Sequence, residues 1–284
     1  MHTIVHISDL HFGMENLTIA DALLEEIRQI DPAAVVVSGD LTQRARTKQY
    51  LAARDFLGQI DYPQIIIPGN HDVPLFDVMR RTLAPLDRYK KYITDDLHPF
   101  FYNGEIAIYG INTARSLTWK AGRISFAQME QIQKAFDPLD DSVFKVLVTH
   151  HPFIPSTGRF HEDIVGRGEH AVEVIAESGV DLLLAGHLHH GYSGDIKAYY
   201  PNTDRSVISA QAGTAISRRF TRKGNGYNVI TVDNYEIDIE IRNYRNGMFS
   251  ESSRMQYYKI QDQWERRDTI DTERLDAFLE SSAA

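Results

Sequence analysis

Five short segments of this sequence carry residue types that bind metal ions. They are Asp9-Leu10-His11, Gly39-Asp40, Gly69-Asn70-His71-Asp72, His150-His151-Pro152 and Gly186-His187-Leu188-His189. Carboxylate, carboxamide and imidazole donors suit hard and borderline cations such as Mg, Mn, Fe or Zn. The members of the Asp-x-His and His-x-His pairs are two residues apart. In extended chain, residues i and i+2 point the same way, so both members of a pair can reach one cluster. Such a cluster answers a chemical need. A phosphate ester is anionic and repels hydroxide. Two cations about 3.5–4 Å apart can bind phosphoryl oxygens, lower the pKa of a bridging water and stabilise the leaving oxygen. A carboxylate between the cations is the simplest way to hold them that close, and Asp40 is the candidate. Taken singly, each fragment is a weak signal, since a lone Asp-x-His or His-x-His usually sits in a solvated loop. The ordered set carries the argument.

Each fragment ends an apolar run of the parallel-strand type. The runs lie at residues 3–8, 33–38, 64–67, 144–148 and 180–184, with a further strand at 105–111. Helical spacing of apolar residues marks 19–29, 47–57, 125–135 and 169–178. Residues 73–97 read as mostly helical, interrupted by Pro74 and Pro85. In α/β sheets, ligands bind just outside the carboxyl ends of the strands, so five such ends would gather the donors at one sheet edge. Gly39, Gly69 and Gly186 stand beside candidate ligands, where a missing Cβ permits close backbone approach. Later, 206–210, 227–232 and 235–242 read as strands that extend a second sheet antiparallel. A strand at 256–261 and a terminal helix at 272–279 are expected beyond. No Pro/Gly/Ser linker interrupts the chain. It reads as one domain, residues 1–245, with a C-terminal strand/helix extension over 246–284.

Composition narrows the options. The 284 residues are 43% hydrophobic, enough for a large core, and include no cysteine. Disulfides are therefore impossible, and a metal site must use His, Asp, Glu or Asn. The formal net charge of −9 argues against a broad basic face for nucleic acid. The N-terminus lacks the pattern of a signal peptide, and no apolar run approaches the roughly 20 residues that span a bilayer. The expectation is a cytoplasmic protein with no membrane partner.

The five blocks, in order, resemble the pattern D-x-H, G-D, G-N-H-D, H, G-H-x-H of the calcineurin-like metallophosphoesterase superfamily. The resemblance covers about residues 1–240. It implies a four-layer αββα sandwich with two mixed β-sheets and a dinuclear site at the sheet edge. It implies that Asp9, His11, Asp40 and His189 hold one metal, and that Asp40, Asn70, His150 and His187 hold the other. His71 would contact substrate and act as general acid. Asp72, grouped with it at the catalytic centre, would support the turn or stand behind the site. The blocks ISDLHFG, GDLT, PGNHDV and THHPF look like the class III cyclic-nucleotide phosphodiesterases, a branch that includes glycerophosphodiesterases. Protein Ser/Thr phosphatases carry Asp-Arg-Gly after the bridging Asp, where that second Asp supports the catalytic His. Here Gln43 replaces it, which argues against a protein phosphatase.

The expected activity is hydrolysis of a small phosphodiester, a cyclic nucleotide or glycerophosphodiester, by a metal-bridging hydroxide. The cofactors are two divalent or trivalent ions, Mn, Fe or Zn. The alternatives are a phosphomonoesterase or nuclease on the same scaffold and, ranked lower, a non-enzymatic protein-binding scaffold. The C-terminal extension is a candidate for covering the pocket or for a homo-oligomer contact. Among other residues, His151 and His190 read as packed against backbone rather than as ligands. His161 could reach substrate from its loop. Thr42 and Asn112 could line the pocket. Arg218 or Arg219 could clamp a phosphate, with a solvated charge pair as the favoured reading. Tyr199, Tyr200, Tyr257 and Tyr258 could stack on a base but read more plainly as sheet surface.

Overall fold

The computed structural model describes residues 1–116, 118, 120–156, 164–219 and 224–270. The apolar runs form strands because their residues alternate between two buried faces. In β1 (His2–Ile7), Ile4 joins a core between two sheets, while Val5 and Ile7 join a core beneath helices. In β2 (Ala34–Val37), Ala34 and Val36 face the first of these cores and Val35 and Val37 the second. The same division recurs in β6 (Phe144–Thr149) and β7 (Leu182–Ala185). There Val146, Val148, Leu182 and Leu184 face the inter-sheet core, and Leu147 and Leu183 face a third core. A strand buried on both sides needs cover on both sides, which dictates helix, sheet, sheet, helix.

Helix α1 (Leu17–Ile30) lays Ile19, Leu23, Leu24 and Ile27 on the first sheet, beside Tyr50 and Phe56 of α2 (Thr47–Leu57). On the far side, α5 (Phe126–Phe136) buries Met129, Ile132 and Phe136, and α6 (Gly168–Glu177) buries Val172 and Ile175. Ser125 opens α5 as its cap, accepting from the Gln128 amide at 3.2 Å. Two short helices, α3 (Val78–Leu83) and α4 (Asp87–Tyr92), occupy the stretch that Pro74 and Pro85 interrupt. The fold is the four-layer αββα sandwich that the resemblance implies.

The first sheet adds β3 (Gln64–Ile66), β10 (Gly226–Val232), β11 (Glu236–Arg245), β12 (Met248–Ile260) and β13 (Gln263–Arg266), in the order β13-β12-β11-β10-β1-β2-β3. The second adds β4 (Phe100–Tyr102), β5 (Ile106–Ile111), β8 (Tyr192–Asp195) and β9 (Ile208–Gln211), in the order β4-β5-β6-β7-β9-β8. Both sheets are mixed. β1 to β3 run parallel, as do β5, β6, β7 and β9, while β10 lies antiparallel to β1. This corrects the sequence reading in two places. β10 and β11 extend the first sheet, not the second, and β9 pairs parallel to β7. Alternation marks a strand but does not name its neighbour. The free edge of β1 takes β10, with Ile4 opposite Ile230. The five ligand-bearing ends also come from two sheets, β1 to β3 of one and β6 and β7 of the other. The shared core brings them to a common rim. β12 and β13 carry residues 248–266 as part of the first sheet, and the expected helix at 272–279 lies outside the described residues. Among the described residues, no helix is long and apolar enough to cross a membrane.

Candidate metal centre

The turns that follow the strands have an unusual backbone. Asp9, His11, Asp40, His187 and His189 all have left-handed φ, between +48° and +72°. For an L-residue this conformation costs on the order of 1–2 kcal/mol. Tertiary hydrogen bonds hold the turns there. The amides of Asp9 and His11 donate to Gly39 O at 3.0 Å and Asp40 O at 2.9 Å, so the loops after β1 and β2 run side by side. The His187 amide donates to Asp9 Oδ2 at 3.0 Å and ties the second sheet's turn to the first sheet's. Two glycines permit this closeness. Gly39 sits at φ +97°, and a Cβ there would lie 2.7 Å from His150 Nδ1. At Gly69 a Cβ would lie 2.2 Å from Asp40 Oδ1.

The side chains converge in two groups joined by Asp40. In the first, His11 Nε2 stands 3.6 Å from Asp9 Oδ1 and 3.7 Å from Asp40 Oδ2, and His189 Nδ1 stands 3.5 Å from Asp9 Oδ1. In the second, Asn70 Oδ1 is 3.1 Å from both His150 Nε2 and His187 Nδ1, and His150 Nε2 is 3.4 Å from Asp40 Oδ1. Asp9 Oδ1 and Asp40 Oδ2 are buried and have no hydrogen-bond partner. Buried carboxylate oxygens are normally satisfied, so two unsatisfied ones facing imidazole nitrogens ask for a cation. The spacing agrees. Donors each about 2.1 Å from one ion stand roughly 3.0–3.4 Å apart at octahedral or tetrahedral angles. The donor set therefore fits metal.

Outlying contacts fix the ring orientations. His150 Nδ1 donates to Ser38 O at 2.7 Å, which turns Nε2 toward Asp40. His189 Nδ1, the nitrogen that faces Asp9, also lies 2.8 Å from Thr214 Oγ1, so the hydroxyl and a cation compete for it. Electrostatics set the protonation. Burial raises the Asp9 carboxyl, but the imidazoles of His189, His11 and His150 outweigh it and hold the group well below the usual carboxylate range. Burial of Asp40 is likewise overcome by His150, His71 and His11. Burial, then the neighbouring His150, pushes His187 down to about 3. His189 is lowered too, by burial first. Burial also lowers His150, but Asp40 and Asp9 raise it more, so a proton and a cation compete for that nitrogen. Ionised carboxylates with neutral His187 and His189 are the forms that bind metal.

His71 lies at the rim, its ring 4.9 Å from that of His11. Its Nδ1 donates to Gln43 O at 2.9 Å, and its Nε2 accepts from Arg219 Nη1 at 2.9 Å. The main-chain carbonyl of Gln43 thus supports His71 where the protein phosphatases use a carboxylate. Asp72 points away from this rim. Its carboxylate accepts from the amides of Leu41, Thr42 and Gly69 and from Thr42 Oγ1, at 2.8–3.0 Å, and shapes the turns that carry Asp40 and Asn70. Burial and Asp40 push it up to about 6.

Arg219 is the residue the sequence reading undervalued. Arg218 is exposed, as a solvated charge would be, but Arg219 reaches His71 and comes within 3.5 Å of His11 Nε2. The signal was the small-residue stretch 211–217, which carries the chain back across the rim; Ser8 bridges Thr214 and Glu15 bridges Ser217. His151 spends both nitrogens, on Thr113 Oγ1 and Lys120 O at 2.8 Å each, although its ring lies 4.9 Å from that of His150. His190 binds Leu188 O and Ser156. Thr42 serves Asp72, and Asn112 Oδ1 accepts from the Ala114 amide. Tyr200 donates to Phe153 O and Tyr257 meets Ser193, both away from the rim. His161 lies outside the described residues.

A model of the calcineurin-like phosphoesterase family matches residues 2–191. The chain is 29% identical over 196 residues to an uncharacterised protein, YpbG, of Bacillus subtilis, covering 66% of this chain and 61% of that one. It is 27% identical over 209 residues to the glycerophosphodiester phosphodiesterase GpdQ of Enterobacter lignolyticus, covering 66% and 70%. It is 22% identical over 260 residues to a probable cyclic nucleotide phosphodiesterase of Pseudoalteromonas, covering 84% and 91%. Among solved structures, it is similar to a dimetal phosphatase from Danio rerio, with a TM-score of 0.63, 14% identity and coverage of 88% and 98%. It is also similar to the purple acid phosphatase PPD1 of yellow lupin, with a TM-score of 0.64, 16% identity and coverage of 88% of this chain and 52% of that one. The chain thus spans about three fifths of the Bacillus relative and half of the lupin enzyme.

Proposed function

The chain belongs to the calcineurin-like phosphoesterase family, and on that premise we propose that it is a metal-dependent hydrolase of small phosphodiesters. The observation that carries this reading is the pair of buried, unpartnered oxygens, Asp9 Oδ1 and Asp40 Oδ2, ringed by imidazoles. Asp9, His11 and His189 would hold one ion, Asn70, His150 and His187 a second, and Asp40, one oxygen toward each group, would be shared. Mn, Fe and Zn all suit this set. Bound cations would lower the pKa of water and take up charge on the phosphoryl oxygens. The names of the relatives GpdQ and the probable cyclic nucleotide phosphodiesterase favour a diester over a monoester.

The chain's own residues do the rest. Arg219 Nη1, which now donates to His71 Nε2, is placed to turn onto a phosphoryl oxygen through its planar fork. That move frees Nε2 to hold a proton and give it to the departing alkoxide, while Gln43 O keeps the ring oriented through Nδ1. Arg219 would contribute binding and His71 leaving-group assistance.

The test is hydrolysis of bis-p-nitrophenyl phosphate, p-nitrophenyl phosphate and cyclic AMP by protein loaded with Mn, Fe or Zn. Metal-dependent turnover, with the diester faster than the monoester, removed by EDTA and restored by manganese, is the expected result. Absence of turnover for every ester with every metal sinks the reading.

A further inference from the structure

Beside the candidate metal centre lies a cavity of about 190 Å³ with Arg44, Lys120 and Arg219 in its lining and Val73 and Leu75 as its apolar wall. The chain as a whole is acidic, with a net charge of −9. Here three cations share one small cavity, and among the described residues none of the three is ion-paired to a carboxylate. Unpaired like charges in one pocket repel one another, and an anionic ligand relieves that repulsion.

The cations are not equivalent. Arg219 stands at Nε2 of His71, near His11 and the carboxylates. Arg44 Nη1 stands 3.3 Å from the other ring nitrogen, Nδ1, and donates to Gln43 O at 3.0 Å. Lys120 comes from a separate loop and is exposed. The His71 imidazole therefore stands between Arg219 and Arg44, one on each ring nitrogen.

The geometry points to a second anion site: we propose that the ester arm of the substrate carries another negatively charged group, a carboxylate or a further phosphate, which Arg44 and Lys120 bind while the scissile phosphate lies under Arg219. The inference rests on the phosphoesterase reading and names the substrate class. A cavity of about 190 Å³ has room for a short arm of a few carbon atoms. Val73 and Leu75 flank the carbon atoms between the two charges. The loops that carry these groups are fixed together, because the buried Arg81 of α3 donates to Pro74 O at 2.9 Å and also to Thr118 O.

The test is calorimetric titration of manganese-loaded protein with 3-phosphonopropionate and with butylphosphonate, a pair alike in length that differs in the distal carboxylate. The carboxylate-bearing probe should bind about tenfold tighter or more, the worth of one charge-assisted hydrogen bond. That preference should fall to within about threefold in Arg44→Gln/Lys120→Met and partly in Lys120→Met alone, a change at an exposed position that leaves folding intact. Equal binding of the two probes overturns this inference and leaves the phosphoesterase reading standing. A preference retained in the double variant also overturns it, since the carboxylate then binds elsewhere. Failure of both probes to bind also overturns this inference, while the phosphoesterase reading stands or falls by the turnover assay.

Discussion

The hairpins that join β11, β12 and β13 place left-handed φ at Asn246, Gly247, Gln261 and Asp262, the central residues of two-residue turns. Such turns require positive φ, because their twist matches that of the flanking strands. On the same strands the charges are paired, and Arg254 itself is exposed: it meets the half-buried Asp238 at 3.0 Å and Glu240 at 2.7 Å and the exposed Glu251 at 2.9 Å. At the ligand rim, the same backbone conformation falls on Asp9, His11, Asp40, His187 and His189, where no hairpin asks for it. The charges there are buried, and two carboxylate oxygens have no partner. Strain explained by a turn says nothing about function. Strain held in place by tertiary hydrogen bonds, at residues with unsatisfied charge, marks a candidate site for chemistry.

The contrast predicts unequal responses to substitution. Asp40→Asn should lower kcat/KM for bis-p-nitrophenyl phosphate by about a thousandfold, with metal content by elemental analysis falling in parallel. Thermal stability of the metal-free protein at neutral pH should fall as well, because the neighbouring imidazoles favour the ionised carboxylate that the change removes. Retained activity would place the chemistry elsewhere. Next come paired glycine substitutions. Gly69→Ala drives a Cβ into Asp40 and should cost about 1–3 kcal/mol of overpacking or more. Gly247→Ala meets nothing within 4 Å and should cost only about 1 kcal/mol, for its positive φ. Denaturant titration of both variants measures the difference, and equal costs would break the comparison.

A pH experiment probes the buried face behind the rim. His6 is wholly buried between Ser38 Oγ at 2.9 Å and Asn228 Nδ2 at 3.3 Å, and burial pushes its imidazole down to about 3. The folded protein keeps it neutral, while the unfolded chain protonates it near 6.5. Its contribution is fully present above about 6.5 and is lost as pH falls from there toward 3, at up to about 1.4 kcal/mol per pH unit. His6→Asn should flatten the acid limb of stability measured between pH 7 and 5. The smallest effect belongs to the hairpins. Arg254→Ala should change stability by less than about 1 kcal/mol despite three acidic neighbours, because the guanidinium itself is exposed and solvent screens its pairs. A larger loss would mean that the paired face, too, bears structural load.

Much of this was legible in the sequence because apolar runs and rare donor residues follow simple rules. The strands carrying Asp9, Asp40, Asn70, His150 and His187 could be read from continuous burial alone, and the donors from their position at the strand ends. Pairing partners could not, since β10 is apolar enough to join either sheet and only the free edge of β1 decides. Nor could the left-handed turns, because Asp and His tolerate positive φ better than most residues but adopt it only where tertiary contacts demand it. Gln43 looked like a lost carboxylate, yet its carbonyl holds His71, and main-chain roles leave no mark on residue type. Arg219 and Arg218 are chemically identical in sequence, and only the turn of one residue separates a rim contact from solvent.

The completion of β1 has a consequence for the order of events in the cell. β1 lies between β2 and β10, and the returning segment 212–217 sets Thr214 beside His189. A nascent chain that has just released His189 from the ribosome already carries all seven donors, but it lacks the last strand of their support and the hydroxyl at the second histidine. If these residues hold metal, a chain stalled before residue 214 would carry the candidate donors without a finished site for an ion.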